Sequence, residues 1–326
     1  MRVDLHCAVR WRIQAWSGWV AAALVLFGGR ALAQTQADRL YVGFSLMGGG
    51  ALEAGRTRVE ERRLLELRVP LPPLVLGGTY LLPSVGYETR RMGANVPRPG
   101  GAGEDEVDRR FHRIQLGLTL VRPVAPRWML IAGVQGSTRT DFESSFDLAL
   151  DTSWVTYVMA SHQLGDTPGF AVSFGLVALW PFDGLPVIPL ANVTYRRGPY
   201  VVEVGLPRLT LLRKLGDTVE LGIVGALDVQ VLRTRFAPEM QALDAHYLRE
   251  LQVRAGPTVN VHLGSDLWLS STVGLSLIND YALLDRQRDN LNIPGLKMGP
   301  TPYARMMLGW RPSPARKKAR MSRPAP

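Results

Sequence analysis

The chemically capable side chains of this sequence do not gather into a catalytic motif. Four histidines follow residue 33: His112, His162, His246 and His262. None of them has the His-Glu-x-x-His spacing of a zinc site, and the run Gly48-Gly49-Gly50 lacks the Lys-Ser or Lys-Thr of a phosphate-binding loop. The only cysteine is Cys7. The sequence therefore predicts no enzyme and no bound metal or cofactor.

A larger set of polar residues falls at alternate positions within apolar runs. These residues are Arg113, Gln115, Glu203, Glu220, Asp228, Glu250, Gln252, Arg254, Asn260 and His262. Alternate positions of a β-strand lie on one face, so we expect the set to line a common interior. Because both signs of charge are present, the side chains could border a water-filled path or pair and fill it. We expect His262 to be a structural polar residue rather than a base.

The elements that carry this set alternate with period two. The clearest apolar face consists of Leu251, Val253, Ala255, Pro257, Val259, Val261 and Leu263. A run of this length exceeds the usual globular strand of about 5–6 residues and suits a tilted membrane strand of about 9–11. We expect Leu116, Val253, Val259 and Leu275 to face lipid. The sequence predicts an all-β, closed antiparallel transmembrane β-barrel; a secreted β-sandwich is the alternative.

The alternation predicts about 14 strands. They are 40–49, 57–69, 78–90, 111–121, 128–139, 153–163, 169–180, 188–196, 200–206, 208–214, 218–232, 247–263, 267–281 and 301–311. If Pro207 marks a bulge rather than a tight external turn, or if the pairing in 57–90 differs, the count is 12, because single-chain bacterial barrels normally have even numbers.

The connections alternate in length. Short turns are expected at 124–126, 165–169, 197–199, 216–217 and 264–266, and longer polar stretches at 91–110, 140–153, 233–246 and 282–300. Short periplasmic turns and longer external loops are typical of outer-membrane barrels. A short helix could begin within Pro238–Leu243.

Aromatic residues near the strand ends predict two interfacial girdles. One girdle would contain Trp128, Phe170, Tyr195, Tyr200, Trp268 and Trp310, and the other Tyr87, Trp180, Tyr247 and Tyr281. Trp268 departs from the pattern because its parity places it on the polar face.

The two ends of the chain hold most of its charge. The formal net charge is +10, of which +3 lies in residues 1–33 and +6 in residues 311–326. A nucleic-acid binder is expected to carry its basic surface on the fold itself, so we expect no nucleic-acid partner. Residues 1–33 have the basic, apolar and small-residue regions of a cleaved signal peptide. Residues 34–311 would be the barrel and residues 312–326 a disordered basic tail, or one that contacts an anionic surface.

The chain resembles the uncharacterised, porin-like outer-membrane β-barrel families of Gram-negative bacteria, which are known only as domains of unknown function. The resemblance rests on the cleavage site Ala31-Leu32-Ala33, the repeated hairpins and a last strand ending in Leu308-Gly309-Trp310. It implies location in the outer membrane, contact with its lipid and lipopolysaccharide, and recognition by the barrel assembly machinery. It implies no substrate or oligomeric state, and the basic tail after Trp310 departs from the family pattern.

Two functions are compatible with such a barrel. One is a passive channel or transporter for small solutes, and the other is a closed structural or interaction barrel that acts through its external loops. The sequence favours the channel because several interior positions are small and would leave room inside: Gly117, Gly133, Gly175, Gly222, Gly256 and Gly274.

Overall fold

The computed structural model describes residues 40–53, 57–97, 104–142, 146–165, 169–180, 187–236 and 244–310. The expected signal segment 1–33, the basic tail 312–326 and the expected helix start at 238–243 lie outside these ranges. Among the described residues, no helix has both the length and the apolar character needed to cross a membrane.

Strands dominate the described chain. They are β1 (Leu40–Met47), β2 (Gly50–Ala51), β3 (Arg58–Val59), β4 (Arg62–Pro70), β5 (Leu74–Leu76), β6 (Thr79–Pro97), β7 (Glu104–Ala125), β8 (Trp128–Thr140), β9 (Thr152–Gln163), β10 (Phe170–Trp180), β11 (Val187–Arg197), β12 (Tyr200–Gly205), β13 (Arg208–Leu215), β14 (Val219–Arg233), β15 (Tyr247–Gly264), β16 (Leu267–Leu284), β17 (Lys297–Met298) and β18 (Thr301–Trp310). One helical turn, α1 (Leu148–Asp151), precedes β9.

Fourteen of these strands form a closed antiparallel wall, which confirms the predicted all-β barrel and its strand count. The wall runs in the order β1, β4, β6, β7, β8, β9, β10, β11, β12, β13, β14, β15, β16 and β18. Closure occurs where β18 pairs with β1, with Leu40 opposite Trp310. Because each wall strand then has a partner on both sides, the barrel avoids the open sheet edges that lipid cannot solvate.

The two ends of the barrel differ. Short turns lie at the end that holds Leu40 and Trp310, which we call the turn end, and longer connections lie at the opposite loop end. Pro207 lies in a tight turn at the loop end, with a cis Leu206–Pro207 peptide bond. This turn makes β12 and β13 separate strands with only six register pairs.

Hairpin β6–β7 is longer than the sequence predicts. It contains eighteen register pairs, from Tyr80 opposite Val121 to Pro97 opposite Glu104. Most of the stretch 91–110, which we expected to be a loop, is therefore strand. Its polar residues obscured the alternation, but backbone pairing between two adjacent strands does not require an apolar face.

The outer face of the wall is apolar, as alternation predicts. Leu116 is 60% exposed, Leu275 46% and Val259 39%, while Val253 is partly buried. Two residues expected in an aromatic girdle are instead buried, namely Tyr247 (2% exposed) and Tyr281 (6%). A register shift opposite Val253/Arg254 inserts an extra residue in β16, and such a bulge turns the following side chains to the other face. Tyr281 therefore points inward.

Candidate functional site

The loop-end half of β14 lies inside the barrel. The Leu227 amide still donates to the Pro207 carbonyl at 2.9 Å. Beyond Leu227, β14 has no register partner in hairpin β12–β13, because that hairpin has already turned at Leu206–Pro207. At its far end, Arg233 of β14 forms a parallel bridge with Thr140 of β8, on the other side of the barrel. The strand therefore crosses the interior space instead of continuing the wall.

An apolar layer fixes this inward position. Val229 (0% exposed) and Val231 (8%) occupy the face of β14 that alternation assigns to lipid, yet they pack on the inner face of β8–β11. Their partners include Val177, Leu179, Ile188 and Leu190. Alternation correctly predicts the face of β14 on which these valines lie. It wrongly predicts that lipid covers that face, because other strands of the barrel cover it. Because the inner face of β10 and β11 is itself apolar here, the two surfaces bury each other and form an internal β-sandwich.

The opposite face of β14 and β15 contributes to a cluster of charges in the interior, which is buried except at the half-buried Arg139. We call this group the central cluster: Arg62, Arg90, Arg113, Arg139, Arg254, Glu88, Asp228 and Glu250. Arg62 Nη1 lies 2.5 Å from Glu250 Oε1, and Arg90 also contacts Glu250. Arg254 Nη2 lies 3.0 Å from Asp228 Oδ2. These pairs link β4, β6, β14 and β15 through the interior.

The cluster continues to the neighbouring strand. Arg90 Nη2 lies 3.8 Å from Glu88 Oε1 and 3.7 Å from Asp228 Oδ2. Arg113 Nη1 lies 3.5 Å from Glu88 Oε2. Glu250 is 1% exposed and Glu88, the most accessible of the three acids, is 8% exposed. The carboxylates are therefore held away from solvent by more than one arginine each.

Neutral side chains extend the network. Gln252 donates a hydrogen bond to Glu250, and Gln230 Nε2 donates to Asp228 Oδ2 at 3.2 Å. Arg62 donates to Tyr281 and, at 3.3 Å, to Asn279 Oδ1. Buried polar networks of this kind orient their members strongly, because an unsatisfied buried group is costly.

An apolar cap covers the cluster at the loop end. It consists of Leu52, Val59, Tyr281 and Met298, and Leu52 and Met298 form an isolated β-bridge. Connections at the same end are tied together: Arg233 Nη1 lies 2.6 Å from Asp151 Oδ2, and the Tyr247 hydroxyl donates to the Leu150 carbonyl at 3.1 Å. Among the described residues, these side chains and connections cover the loop end of the cluster.

Towards the turn end, the interior beside the cluster is polar. A small cavity there is lined by Tyr41, Glu66, Arg68, Glu88, Arg113 and Gln115, among others. Arg305 Nη2 lies 2.6 Å from Glu66 Oε1 across the floor of this region. The cavity borders the central cluster directly, since Glu88 and Arg113 belong to both.

The structure brings five of the predicted interior residues together and places the others elsewhere. Those in or against the central cluster are Arg113, Asp228, Glu250, Gln252 and Arg254. Nearer the turn end, Asn260 Nδ2 donates to Glu220 Oε2 at 2.9 Å, and Glu203 pairs with Arg196. Gln115 lines the cavity. His262 stacks on Trp268 with 4.9 Å between ring centroids, a contact that accounts for the inward parity of this tryptophan.

Sequence reasoning missed Arg62, Glu88, Arg90 and Arg139. A signal was present in β4, where Leu65, Leu67 and Val69 are exposed and alternate with Glu66 and Arg68. The same parity places Arg62 inside. In β6 the apolar face is interrupted, so no comparable signal identifies Arg90.

The interior glycines do not open space, contrary to our expectation. A Cβ at Gly133 would meet the Tyr157 ring at 2.5 Å. Added Cβ atoms at Gly175, Gly222, Gly256 and Gly274 would each lie within 2.1 Å of a backbone oxygen of the adjacent strand. These glycines allow neighbouring strands to approach where the wall curves. Only at Gly117 is the near contact a small side chain, the Ser84 hydroxyl at 2.9 Å.

Within the described ranges, no group of three or more histidine, cysteine, aspartate or glutamate side chains is arranged to hold a metal ion. The described interior presents guanidinium and carboxylate groups. Such groups bind and orient charged solutes.

A family profile described as "Domain of unknown function (DUF6268)" matches residues 102–311, well over half of the chain. A search of curated proteins gives no significant match. The family match begins within the β6–β7 connection and ends just after β18.

Several solved structures are similar to this chain at low identity. The TodX deltaS2S3 mutant monoaromatic hydrocarbon channel is 8% identical, with 87% of this chain and 94% of that chain covered and a TM-score of 0.44. The COG4313 outer membrane channel from Pseudomonas putida F1 is 10% identical, with coverage of 86% and 98% and a TM-score of 0.38. The translocator domain of autotransporter NalP from Neisseria meningitidis is 10% identical, with coverage of 92% and 97% and a TM-score of 0.36.

Proposed function

We propose that this chain, which belongs to the family described as domain of unknown function DUF6268, is an outer-membrane channel for small solutes whose path is closed here by the central cluster. The outward apolar face of a closed barrel supports residence in a membrane. The expected signal segment supports export, and the outer membrane is where closed bacterial barrels of this kind reside.

The observation that carries the proposal is the chemistry of the closure. Arg62, Arg90, Asp228 and Glu250 are buried in the middle of the barrel, although apolar side chains could fill the same space at lower cost. Replacing a buried ion network by well-packed apolar residues is often neutral or stabilising. A barrel that served only as a scaffold for loops could be filled by apolar side chains, whereas charged side chains suit a path for polar solutes.

The central cluster lies beside a polar part of the interior. Towards the turn end the interior presents polar side chains and the small cavity beside Glu66 and Arg113. A solute path would therefore run from the turn end to the central cluster and open when β14 and β15 move towards the wall. The pairs that must separate are those of Arg62 and Arg90 with Glu250.

Conductance in planar bilayers tests the proposal. We expect the wild-type barrel to be closed most of the time and the Glu250→Gln variant to open more often, because that change removes the carboxylate shared by two arginines. Glu61→Gln is the matched control, since Glu61 is exposed and, among the described residues, pairs only with the exposed Arg63. A folded barrel that neither conducts nor takes up solute, in wild-type and Glu250→Gln forms alike, contradicts the channel.

A closed interaction barrel is the second candidate. The ties among the loop-end connections favour it, particularly those of Leu150 with Tyr247 and Arg288, because they give the outer surface a fixed shape. This candidate predicts no conductance in any variant of the central cluster.

Location is tested separately. We expect the mature chain to begin at Gln34 and to fractionate with the outer membrane. N-terminal sequencing that finds Met1, or recovery of the protein in the soluble periplasm, contradicts this part of the proposal.

A further inference from the structure

The central cluster carries more positive than negative charge. It holds five guanidinium groups, on Arg62, Arg90, Arg113, Arg139 and Arg254, against three carboxylates. The nearby Glu66 does not correct the balance, because Arg305 already pairs with it at 2.6 Å. Two formal positive charges therefore remain among the described residues of the cluster.

One excess charge can be assigned to Arg139. This residue lies opposite Arg113 in the β7–β8 register, and both side chains occupy the inner face. Like charges directly opposite each other destabilise a strand pair. Arg139 is within electrostatic reach of Glu88 and Asp228, but among the described residues no carboxylate lies within 4 Å of it. Its Nε is buried and makes no hydrogen bond there.

Arg254 supplies a second set of unused donors. The side chain is 4% exposed, and one of its nitrogens contacts Asp228 at 3.0 Å. Its Nε and Nη1 are buried and have no hydrogen-bond partner among the described residues. A buried donor left without a partner is destabilising.

We infer that the central cluster binds a small oxyanion, the carboxylate or phosphate group of a solute, beside Arg139. The guanidinium fork matches these planar or tetrahedral oxygen groups and binds them through paired hydrogen bonds. Buried Gln135 and Ser137 lie on the same face of β8 as Arg139 and add neutral polar groups to the site. An anion of one or two charges would balance the excess, whereas a cation or an apolar solute would not.

This inference names the substrate class of the proposed channel. It rests on the proposed function only in so far as the bound anion is also transported. Binding to the folded barrel is independent of conductance. A barrel that conducts but does not bind oxyanions refutes the inference alone. A barrel that binds them but never conducts refutes the proposed channel alone.

Thermal unfolding of the purified mature chain in neutral detergent measures the binding. The probes are inorganic phosphate and acetate, each titrated against chloride at constant ionic strength. We expect both oxyanions to raise Tm relative to chloride, phosphate more than acetate. Arg139→Gln should weaken the apparent affinity by about tenfold or more, the effect of losing one charge-assisted contact.

The matched control is Arg110→Gln, because Arg110 lies on the same β7 hairpin but is exposed on its outer face. It should keep the wild-type response. If Arg139→Gln folds poorly, Arg139→Lys keeps the charge without the fork and should show an intermediate affinity. Equal Tm shifts in wild type and in both Arg139 variants, or no shift in wild type, overturn the inference.

Discussion

Arg90 Nη2 lies 3.7 Å from Asp228 Oδ2, although β6 and β14 stand six strands apart in a wall of fourteen. Strands at that separation are almost opposite each other in a round barrel. The short distance therefore requires that part of the wall has moved inward. The internal packing of Val229 and the bridge from Arg233 to Thr140 identify β14 as the strand that lies inside.

The internal β-sandwich predicts unequal costs for two leucines on one face of β15. Leu251 is 7% exposed and packs in the apolar cluster, whereas Leu263 is 54% exposed. Leu251→Ala should lower the free energy of unfolding by about 2–5 kcal/mol, because it leaves a cavity. Leu263→Ala should cost much less. Urea unfolding in lipid vesicles measures both, and equal costs would place Leu251 in lipid after all.

A disulfide across the interior should lock the closed form. Residues 40–310 contain no cysteine, so Thr140→Cys with Arg233→Cys introduces a single pair at the bridge between β8 and β14. If β14 must move to open the path, the oxidised protein should not conduct, and a reducing agent should restore conductance. The control is Thr258→Cys with Thr272→Cys, a register pair of neighbouring wall strands, whose oxidation should change nothing. Unaltered conductance in the locked protein would show that β14 is not the gate.

Removing a buried carboxylate of the central cluster should lower the stability of the barrel much more than removing an exposed carboxylate. Glu250→Gln leaves Arg62 and Arg90 without their shared partner, and removing one member of a buried pair costs about 3–5 kcal/mol. Glu61→Gln breaks only an exposed pair with Arg63, and such pairs contribute about 0–1 kcal/mol. The temperature at which the folded band disappears on gels compares the two variants. A Glu250→Gln band as heat-stable as that of Glu61→Gln would argue against a structural role for the network.

Substitution of the glycines in the barrel wall should lower the stability of the barrel rather than change the size of the pore. At Gly175 an added Cβ would lie 2.1 Å from the Val158 carbonyl oxygen, whereas at Gly225 the nearest atom is 3.5 Å away. Gly175→Ala should therefore destabilise the barrel by about 1–3 kcal/mol through overpacking. Gly225→Ala should be tolerated. A Gly175→Ala protein with normal stability but altered conductance would restore the view that these glycines open the lumen.

Much of the wall could be predicted from the sequence, because each strand there has one apolar and one polar face. The strand 247–263 is β15 to within one residue, and Pro207 marked the turn that set the count at 14. Parity also identified Glu250 and Arg254 as residues of one interior. Local sequence patterns were sufficient to predict the fold wherever a strand pairs with the strands that precede and follow it in the chain.

The inward path of β14 could not be predicted in this way. Val229 and Val231 have the same alternation as Leu221 and Ile223. Alternation predicts which face of a strand a side chain occupies, but it does not predict whether lipid or protein covers that face. The inner apolar residues of β10, such as Val177 and Leu179, are a sequence signal for this path, since side chains that face a water-filled lumen are expected to be polar. The pairing of Arg90 with Glu250 is likewise a contact between distant strands, which no local pattern encodes.

The short hairpin β12–β13 has a consequence for the surrounding bilayer. Its six paired residues span about 20 Å along the strands and, at a tilt of about 40°, about 15 Å along the membrane normal. The apolar band of an outer-membrane barrel is about 25 Å tall. Lipids beside this hairpin therefore meet a wall shorter than their own hydrocarbon thickness. Hydrophobic mismatch of this kind is relieved by local thinning or by tilting, so one side of the barrel should carry the thinnest patch of membrane around it.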